Sequence, residues 1–264
     1  MHNTILETRN LSIGYKSSRN ETVLYRDLNA QLKKGELTCL LGKNGSGKST
    51  LLRSLCSLLP TLSGEVIIAG KEKGTYSIRE ISKLVSIVLT DTVRTEDMTA
   101  YEVIALGRTP YTGFWGKLDD ADTEKIDQSI ALIGIADLVD RKMQTLSDGE
   151  RQKVMIAKAV VQETPIILMD EPSAFLDYAS KIKLLQLLRT LTRKLGKTVL
   201  ISSHDMEHML QVADQAWLLD KELGFAHGPT HELCHNGTIG KYFNLEGICF
   251  DQKNCRFDID LEKL

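Results

Sequence analysis

The chain has 264 residues, 42% hydrophobic and 26% charged, with a formal net charge of −2 at pH 7. That length buries one α/β core with an inserted lobe, and the near-neutral balance excludes bulk attraction to nucleic acid or an anionic membrane. No apolar run reaches the length of a signal peptide or a membrane span; stretches such as "PIILMD" and "VLISSH" are strand-sized, which points to a cytosolic protein able to dock onto a membrane protein.

"LETRNLSIGY" alternates apolar and polar residues and places Leu11, Ile13 and Tyr15 on one face of a half-buried strand. After the polar turn "SSRNE", the alternation resumes in "TVLYRDLNAQL". "GELTCLLG" is a short apolar strand in which Cys39 packs as a small hydrophobe. "KSTLLRSLCSLL" is predicted as a helix that stops at Pro60, and "GEVIIAGKEK" as a further strand and turn. Antiparallel strands thus precede a strand–loop–helix unit.

Residues 91–145 change character. Tyr101, Ile104 and Ala105 follow one helical pattern and Ile126, Ile130 and Ile133 another, with the Gly/Pro- and aromatic-rich "GRTPYTGFWGK" between them. The core resumes with the buried strand "PIILMD", a long amphipathic helix "YASKIKLLQLLRTLTRKLG" closed by Gly196, and the strand "KTVLISSH". Strands alternating with helices imply parallel connections. The expected division is a core over 1–90 and 160–224 that includes an antiparallel β subdomain, a helical lobe over 91–159, and an extension over 225–264 without assignable pattern. In that extension His231, Cys234 and His235 cluster loosely, but their spacing matches no familiar zinc pattern, and no CxxC pair occurs.

"GKNGSGKS", Gly42 to Ser49, fits G-x-x-x-x-G-K-[ST] between a predicted strand and a predicted helix. Gly42, Gly45 and Gly47 let backbone N–H groups converge on an anion without Cβ clashes, and the helix starting near Lys48 points its positive end at it. Lys48 would reach the β- and γ-phosphates and Ser49 would ligate Mg²⁺. "IILMDE" supplies the acidic half: Asp170 at the strand end would hold the Mg²⁺ shell, and Glu171 would polarise the attacking water. Together they make a nucleoside-triphosphatase core.

A second anion-seeking stretch, "LSDGE", opens a helix with Ser147 as N-cap and Gly149 permitting close approach. One nucleotide does not need two such sites, so this one would serve a neighbouring chain's nucleotide.

Over roughly 5–225 the sequence resembles the ATP-binding-cassette (ABC) ATPase family. Gly42–Thr50 (including Lys43, Asn44, Gly45 and Ser46) is similar to its Walker A loop, Leu146–Glu150 to its signature and Ile166–Glu171 to Walker B. "SAFLD" (173–177) is similar to the D-loop, His204 to the switch histidine, and Tyr15 to the aromatic that stacks on adenine. The resemblance implies a P-loop α/β fold with a mixed sheet and flanking helices, an antiparallel β subdomain and a helical subdomain. It further implies ATP and Mg²⁺ as ligands, a head-to-tail homodimer, integral-membrane permease subunits and, indirectly, a substrate-binding protein as partners, with no nucleic acid. The chain would sit on the cytoplasmic face of the cell membrane. "VIALGRTPYTGFWGKL" resembles the ATPases that drive uptake of ferric siderophores, haem or cobalamin. Alternatives are the ATPase of a metal-ion importer or an exporter, or a soluble non-transport cassette. Two departures stand out: Leu89-Thr90-Asp91 replaces the family's Gln, leaving Thr90 or Asp91 to approach the metal, and Asp148 replaces a signature Gly, where tolerance of φ > 0 would matter.

Overall fold

The computed structural model describes residues 3–17, 20–89, 95, 97–113, 115–174, 176–244 and 247–259, the last by its backbone. The chain begins with two long strands, β1 (Thr4–Lys16) and β2 (Glu21–Lys33), paired antiparallel. They are followed by β3 (Leu37–Gly42), whose six residues are all buried, and by α1 (Lys48–Leu55). The first helix ends five residues short of the Pro60 expected to stop it, because Ser57 takes a left-handed φ of 66° and the Leu58 and Leu59 amides turn back onto the Arg53 carbonyl. Strands β4 (Ser63–Ile68) and β5 (Lys71–Glu72) return to the first pair, giving a four-stranded antiparallel sheet in the order β2-β1-β4-β5.

The short α2 (Ile78–Ser82) leads into β6 (Val85–Val88) and then into a helical lobe of α3 (Ala100–Ala105), α4 (Asp120–Ile133) and α5 (Asp148–Val161). Each lobe helix starts on a reciprocal cap, Thr99 with Glu102, Asp119 with Asp122 and Ser147 with Glu150, which satisfies amides that have no partner within the helix. Ala100, Val103, Ile104, Ile126, Val154 and Ala157 are buried together, so the lobe has its own apolar centre.

From there the chain re-enters the main body as β7 (Ile166–Asp170), α6 (Tyr178–Arg189), β8 (Thr198–Ser202), α7 (Met206–Val212), β9 (Gln215–Asp220) and β10 (Gly224–Pro229). The helix expected to run unbroken to Gly196 instead widens into a π turn over Thr190–Lys194, where the Thr192 hydroxyl donates to the Leu188 carbonyl. The central sheet has the order β10-β9-β3-β8-β7-β6, parallel throughout except for β10. Buried on both faces, β3, β7 and β8 are mostly apolar runs, broken inside only by Thr38, as suits parallel strands under two layers. Leu37, Cys39 and Leu41 face one cluster and Leu40 the opposite one, beneath β1 and β2. The stretch after 224 supplies the sheet's antiparallel edge, then α8 (Thr230–His235), α9 (Thr238–Phe243) and a hairpin of β11 (Ile248–Asp251) and β12 (Arg256–Ile259). Among the described residues no helix is long and apolar enough to cross a membrane.

Candidate functional site

The site collects at the C-terminal edge of the parallel strands, where such sheets hold ligands. Strand β3 ends at Gly42, and a side chain there has no room: a Cβ would stand 2.5 Å from both the Leu219 carbonyl oxygen and the Ser46 Oγ. Gly45 corrects the expectation that all three loop glycines avoid a Cβ clash. Among the described residues, its own and its two chain neighbours' atoms apart, nothing lies within 4 Å of where its Cβ would stand, and what suits glycine there is a left-handed φ of 71°. The loop closes at Gly47, which caps α1 at φ 96°, a conformation L side chains rarely adopt. The N-terminal amides of α1 therefore open toward a cavity of about 300 Å³ lined by Tyr15, Leu24, Asn44 to Thr50 and Glu171.

Lys48 is buried, with Nζ donating to the Gly42 carbonyl at 2.9 Å and the Lys43 carbonyl at 3.3 Å, and lying 3.5 Å from Glu171 Oε1. Its ammonium is thus held at the mouth of the loop. Tyr15, expected on the buried face with Leu11 and Ile13, is instead 53% exposed, while those two are fully buried. Its ring borders the cavity and its hydroxyl shares a 2.8 Å hydrogen bond with Thr50 Oγ1. Lys43 reaches outward, 3.7 Å from Asp220.

The acidic pair is ordered by a residue that motif matching did not single out. Parallel pairing of β7 with β8 sets Asp170 beside Ser202. The Ser202 hydroxyl donates to Asp170 Oδ1 at 2.8 Å and accepts from the Glu171 amide at 2.9 Å. Glu171 itself adopts φ 48°, and its carboxylate meets His204 Nε2 at 2.7 Å. Among the described residues Asp170 Oδ2 and Ser46 Oγ are both buried without a hydrogen-bond partner. Unpaired oxygens out of water are costly; a carboxylate oxygen and serine hydroxyls are hard donors of the kind that fit Mg²⁺. Thr90 and Asp91 lie outside the described residues.

Ser147 and Gly149 are not part of this cavity wall. The Ser147 Oγ accepts from the Glu150 amide at 3.3 Å, and Glu150 Oε2 accepts from the Ser147 amide at 2.8 Å. Hydrogen bonds from the Ser147 backbone and side chain hold the Glu150 carboxyl below its usual range. Asp148 lies within helix α5 with no left-handed φ, so the backbone tolerance considered for it is not called on; its carboxylate pairs with Arg151 at 2.8 Å. In the 173–177 stretch, Asp177 caps α6 by accepting from the Ser180 amide at 2.7 Å.

The "GRTPY" run is mortised between lobe and core. Buried Arg108 donates through Nε to Asp122 Oδ1 at 2.8 Å, and through a terminal nitrogen to the Val161 carbonyl at 2.9 Å and Glu163 at 3.0 Å. Its guanidinium also lies over the Tyr111 ring, whose hydroxyl donates to the Gln162 carbonyl. Gly107 fits because any Cβ would stand 2.4 Å from the Lys158 carbonyl oxygen. From the other side, Arg79 donates to the Pro110 and Thr112 carbonyls. Composition marked this run as a loop; its buried arginine carried no sequence signal that separates it from a surface one.

Residues 25–174 match the ABC transporter family profile. The chain is 34% identical over 243 residues to the achromobactin transport ATP-binding protein CbrD of Dickeya dadantii, covering 92% of this chain and 89% of that one. It is 32% identical over 241 residues to the iron(3+)-hydroxamate import ATP-binding protein FhuC of Bacillus subtilis, covering 91% and 88%. Its fold is similar to the dimeric post-hydrolysis structure of the ATP-binding cassette MJ0796 bound to ADP and Pi, with a TM-score of 0.75 and 25% identity over 86% of this chain and 99% of that one. A glycine-rich loop at a helix start and an acidic strand end meeting in one cavity, within a likeness that spans nearly the whole sequence, place the chain in the ABC transporter family as an ATP-binding ATPase subunit.

Proposed function

We propose that this ATPase powers an importer of iron–siderophore, haem or cobalamin-type cargo, working as a head-to-tail pair beneath integral-membrane permease subunits on the cytoplasmic face of the membrane. The cargo reading is supported by the achromobactin transport of CbrD, the iron(3+)-hydroxamate import of FhuC and the resemblance of the 103–118 stretch; a substrate-binding protein would deliver the cargo. The observation that carries the pairing is that the cavity holding Lys48 lacks Ser147 and Gly149. An anion-ready helix start that does not face its own chain's phosphate loop is explained if it completes the site of a second copy.

In this mechanism Tyr15 stacks on adenine, and the amides of Lys43 to Thr50 with Lys48 hold the triphosphate. Lys48 would exchange its contacts with the Gly42 and Lys43 carbonyls for phosphate oxygens. A Mg²⁺ ion held by Ser49 and Asp170 would neutralise phosphate charge. Glu171 orients the attacking water and accepts its proton, while His204 holds that carboxylate and reaches the γ-phosphate. Ser147 and Gly149 of the second copy complete the cage around the developing charge, so hydrolysis requires the pair. The lobe over 91–159 carries the signature, and the permease would act on it; Thr90, or alternatively Asp91, would link the site to that lobe. Exchange of Thr90 to Ala should then alter the ratio of transport to hydrolysis more than nucleotide affinity.

The pairing is tested by mixing two inactive variants, Lys48→Ala and Ser147→Arg. Head-to-tail mixed pairs carry both lesions in one site and leave the other intact, so random mixing should restore about a quarter of normal turnover. Mixed pairs that form and stay inactive would overturn the arrangement.

A further inference from the structure

We propose that Cys234 and Cys255 are a reactive dithiol that closes into a disulfide, a modification site pinning the C-terminal hairpin to α8. Cys234 sits on α8, 1% exposed, within the apolar cluster that contains Leu233, Ile239 and Phe250. Cys255, partly exposed, packs against that same cluster, and the two side chains line one solvent-open cavity of about 470 Å³. The Cys255 Sγ donates to the Gln252 carbonyl at 3.8 Å, and burial, with Cys255 as neighbour, pushes the Cys234 thiol up to about 12.

The turn geometry points the same way. Residues 252–255 connect β11 to β12, whose last pairing is Asp251 with Arg256. Asp251 Oδ1 already secures the turn by accepting from the Lys253 and Asn254 amides. Cys255 follows at φ 50°, a position that glycine or asparagine occupies at lower cost. Turn preference therefore does not account for a cysteine there, whereas its place in the cavity it shares with Cys234 does. Among the described residues no three His, Cys, Asp or Glu side chains gather as a metal site.

The more exposed Cys255 reacts first. Its thiolate attacks a low-molecular-weight disulfide, forming a mixed disulfide and expelling one small thiolate. The Cys234 thiolate then attacks the Cys255 sulfur and expels the second, so one small disulfide is reduced to two thiols as the protein pair is oxidised. Capping Cys255 removes its charge from beside Cys234 but leaves the burial, so the second step is the slower one. In a reducing compartment the dithiol predominates, and the bond forms when the thiol–disulfide balance turns oxidising. The closed form ties to α8 a hairpin otherwise held by the Phe250–Phe257 ring contact and by bonds from the Phe250 amide to Asn244 and the Phe257 amide to Glu207. None of this depends on the transport reading.

The test treats the full-length protein, and in parallel the Cys249→Ser variant that removes the exposed cysteine of β11, with glutathione disulfide and then with dithiothreitol. The expected result is loss of two protons' mass, about 2 Da, a cross-linked peptide joining residues 234 and 255, and full reversal by dithiothreitol. The Cys234→Ser chain should stop at a glutathione adduct on Cys255. Two thiols at 234 and 255 still open to iodoacetamide after treatment and unfolding, a stable adduct on Cys255 in the unsubstituted chain, or a bond between 249 and 255 instead, would each overturn the proposal.

Discussion

The Glu171 carboxylate lies 2.7 Å from His204 Nε2 and 3.5 Å from Lys48 Nζ, between the group that would fix its orientation and the group that would bind phosphate. Glu171→Gln keeps the side chain's shape and its capacity to bond His204, but it cannot take a proton from water. Turnover is expected to fall by about two to four orders of magnitude with ATP binding retained. ATP-bound pairs should accumulate on size-exclusion chromatography; normal turnover in this variant would remove Glu171 from the role of base.

Ser202 is a positioning residue, since it joins Asp170 to the Glu171 amide without facing the cavity. Ser202→Ala leaves a buried carboxylate oxygen short of a partner and the Glu171 amide with the Ser202 carbonyl alone. We expect turnover to drop at least about tenfold and the Mg²⁺ concentration for half-maximal turnover to rise, while ATP affinity changes less. Ser202→Thr, which keeps the hydroxyl, should recover most of the loss. A variant whose Mg²⁺ dependence does not move would show that the serine only supports folding.

Tyr15 separates into a ring and a hydroxyl. Tyr15→Phe loses the bond to Thr50 and keeps the face that would meet adenine. Nucleotide affinity is expected to stay within about threefold for Phe and to weaken by roughly tenfold or more for Ala, as base-stacking rings typically contribute. Equal losses in the two variants, measured by calorimetry, would assign the effect to the hydroxyl.

Arg108 makes a stability prediction with a defined pH window. Burial pushes the Asp122 carboxyl up, but hydrogen bonds from Arg108 and the Asp119 amide and the guanidinium charge outweigh it and hold it below the usual range. Glu163 is likewise lifted by burial and lowered further by Lys125 and Arg108. Depressed carboxylates stabilise the fold fully above their unfolded values, near pH 4, and lose that contribution as pH falls through the folded values. Arg108→Met should therefore cost about 3 kcal/mol at neutral pH, measured in urea, because it strands a buried carboxylate. The gap between the two proteins should narrow below about pH 4, where the carboxylates protonate. A gap independent of pH would mean that packing, rather than charge, sets the cost.

What the sequence made legible was local. "GKNGSGKS" needs only its own spacing, and "IILMD" and "TVLIS" announce buried parallel strands by being apolar at every position but their ends. Even within that loop the spacing did not say why each glycine is there: Gly42 is short of room, whereas Gly45 has room and needs the backbone angle. Ser202 was illegible because its contact with Asp170 arises from the register of two strands 32 residues apart. Tyr15 continued an alternating pattern but stands beyond the core, because β1 outruns the layer that covers Leu11 and Ile13. The end of α1 depended on Ser57 taking a left-handed turn, which a serine does not advertise. The stretch after 224 reads weakly because its helices are six residues each, too short to show a period.

The backbone of Glu171 holds φ 48° while its amide is tethered to both the carbonyl and the hydroxyl of Ser202. A glycine would rest there with less strain, on the order of 1 kcal/mol. With Glu171 as the proposed base, heat tolerance and turnover would select opposite residues at this position. A campaign that ranks variants by melting temperature will tend to enrich glycine at 171 and collect well-behaved proteins that no longer run; activity has to be the first sieve at that position.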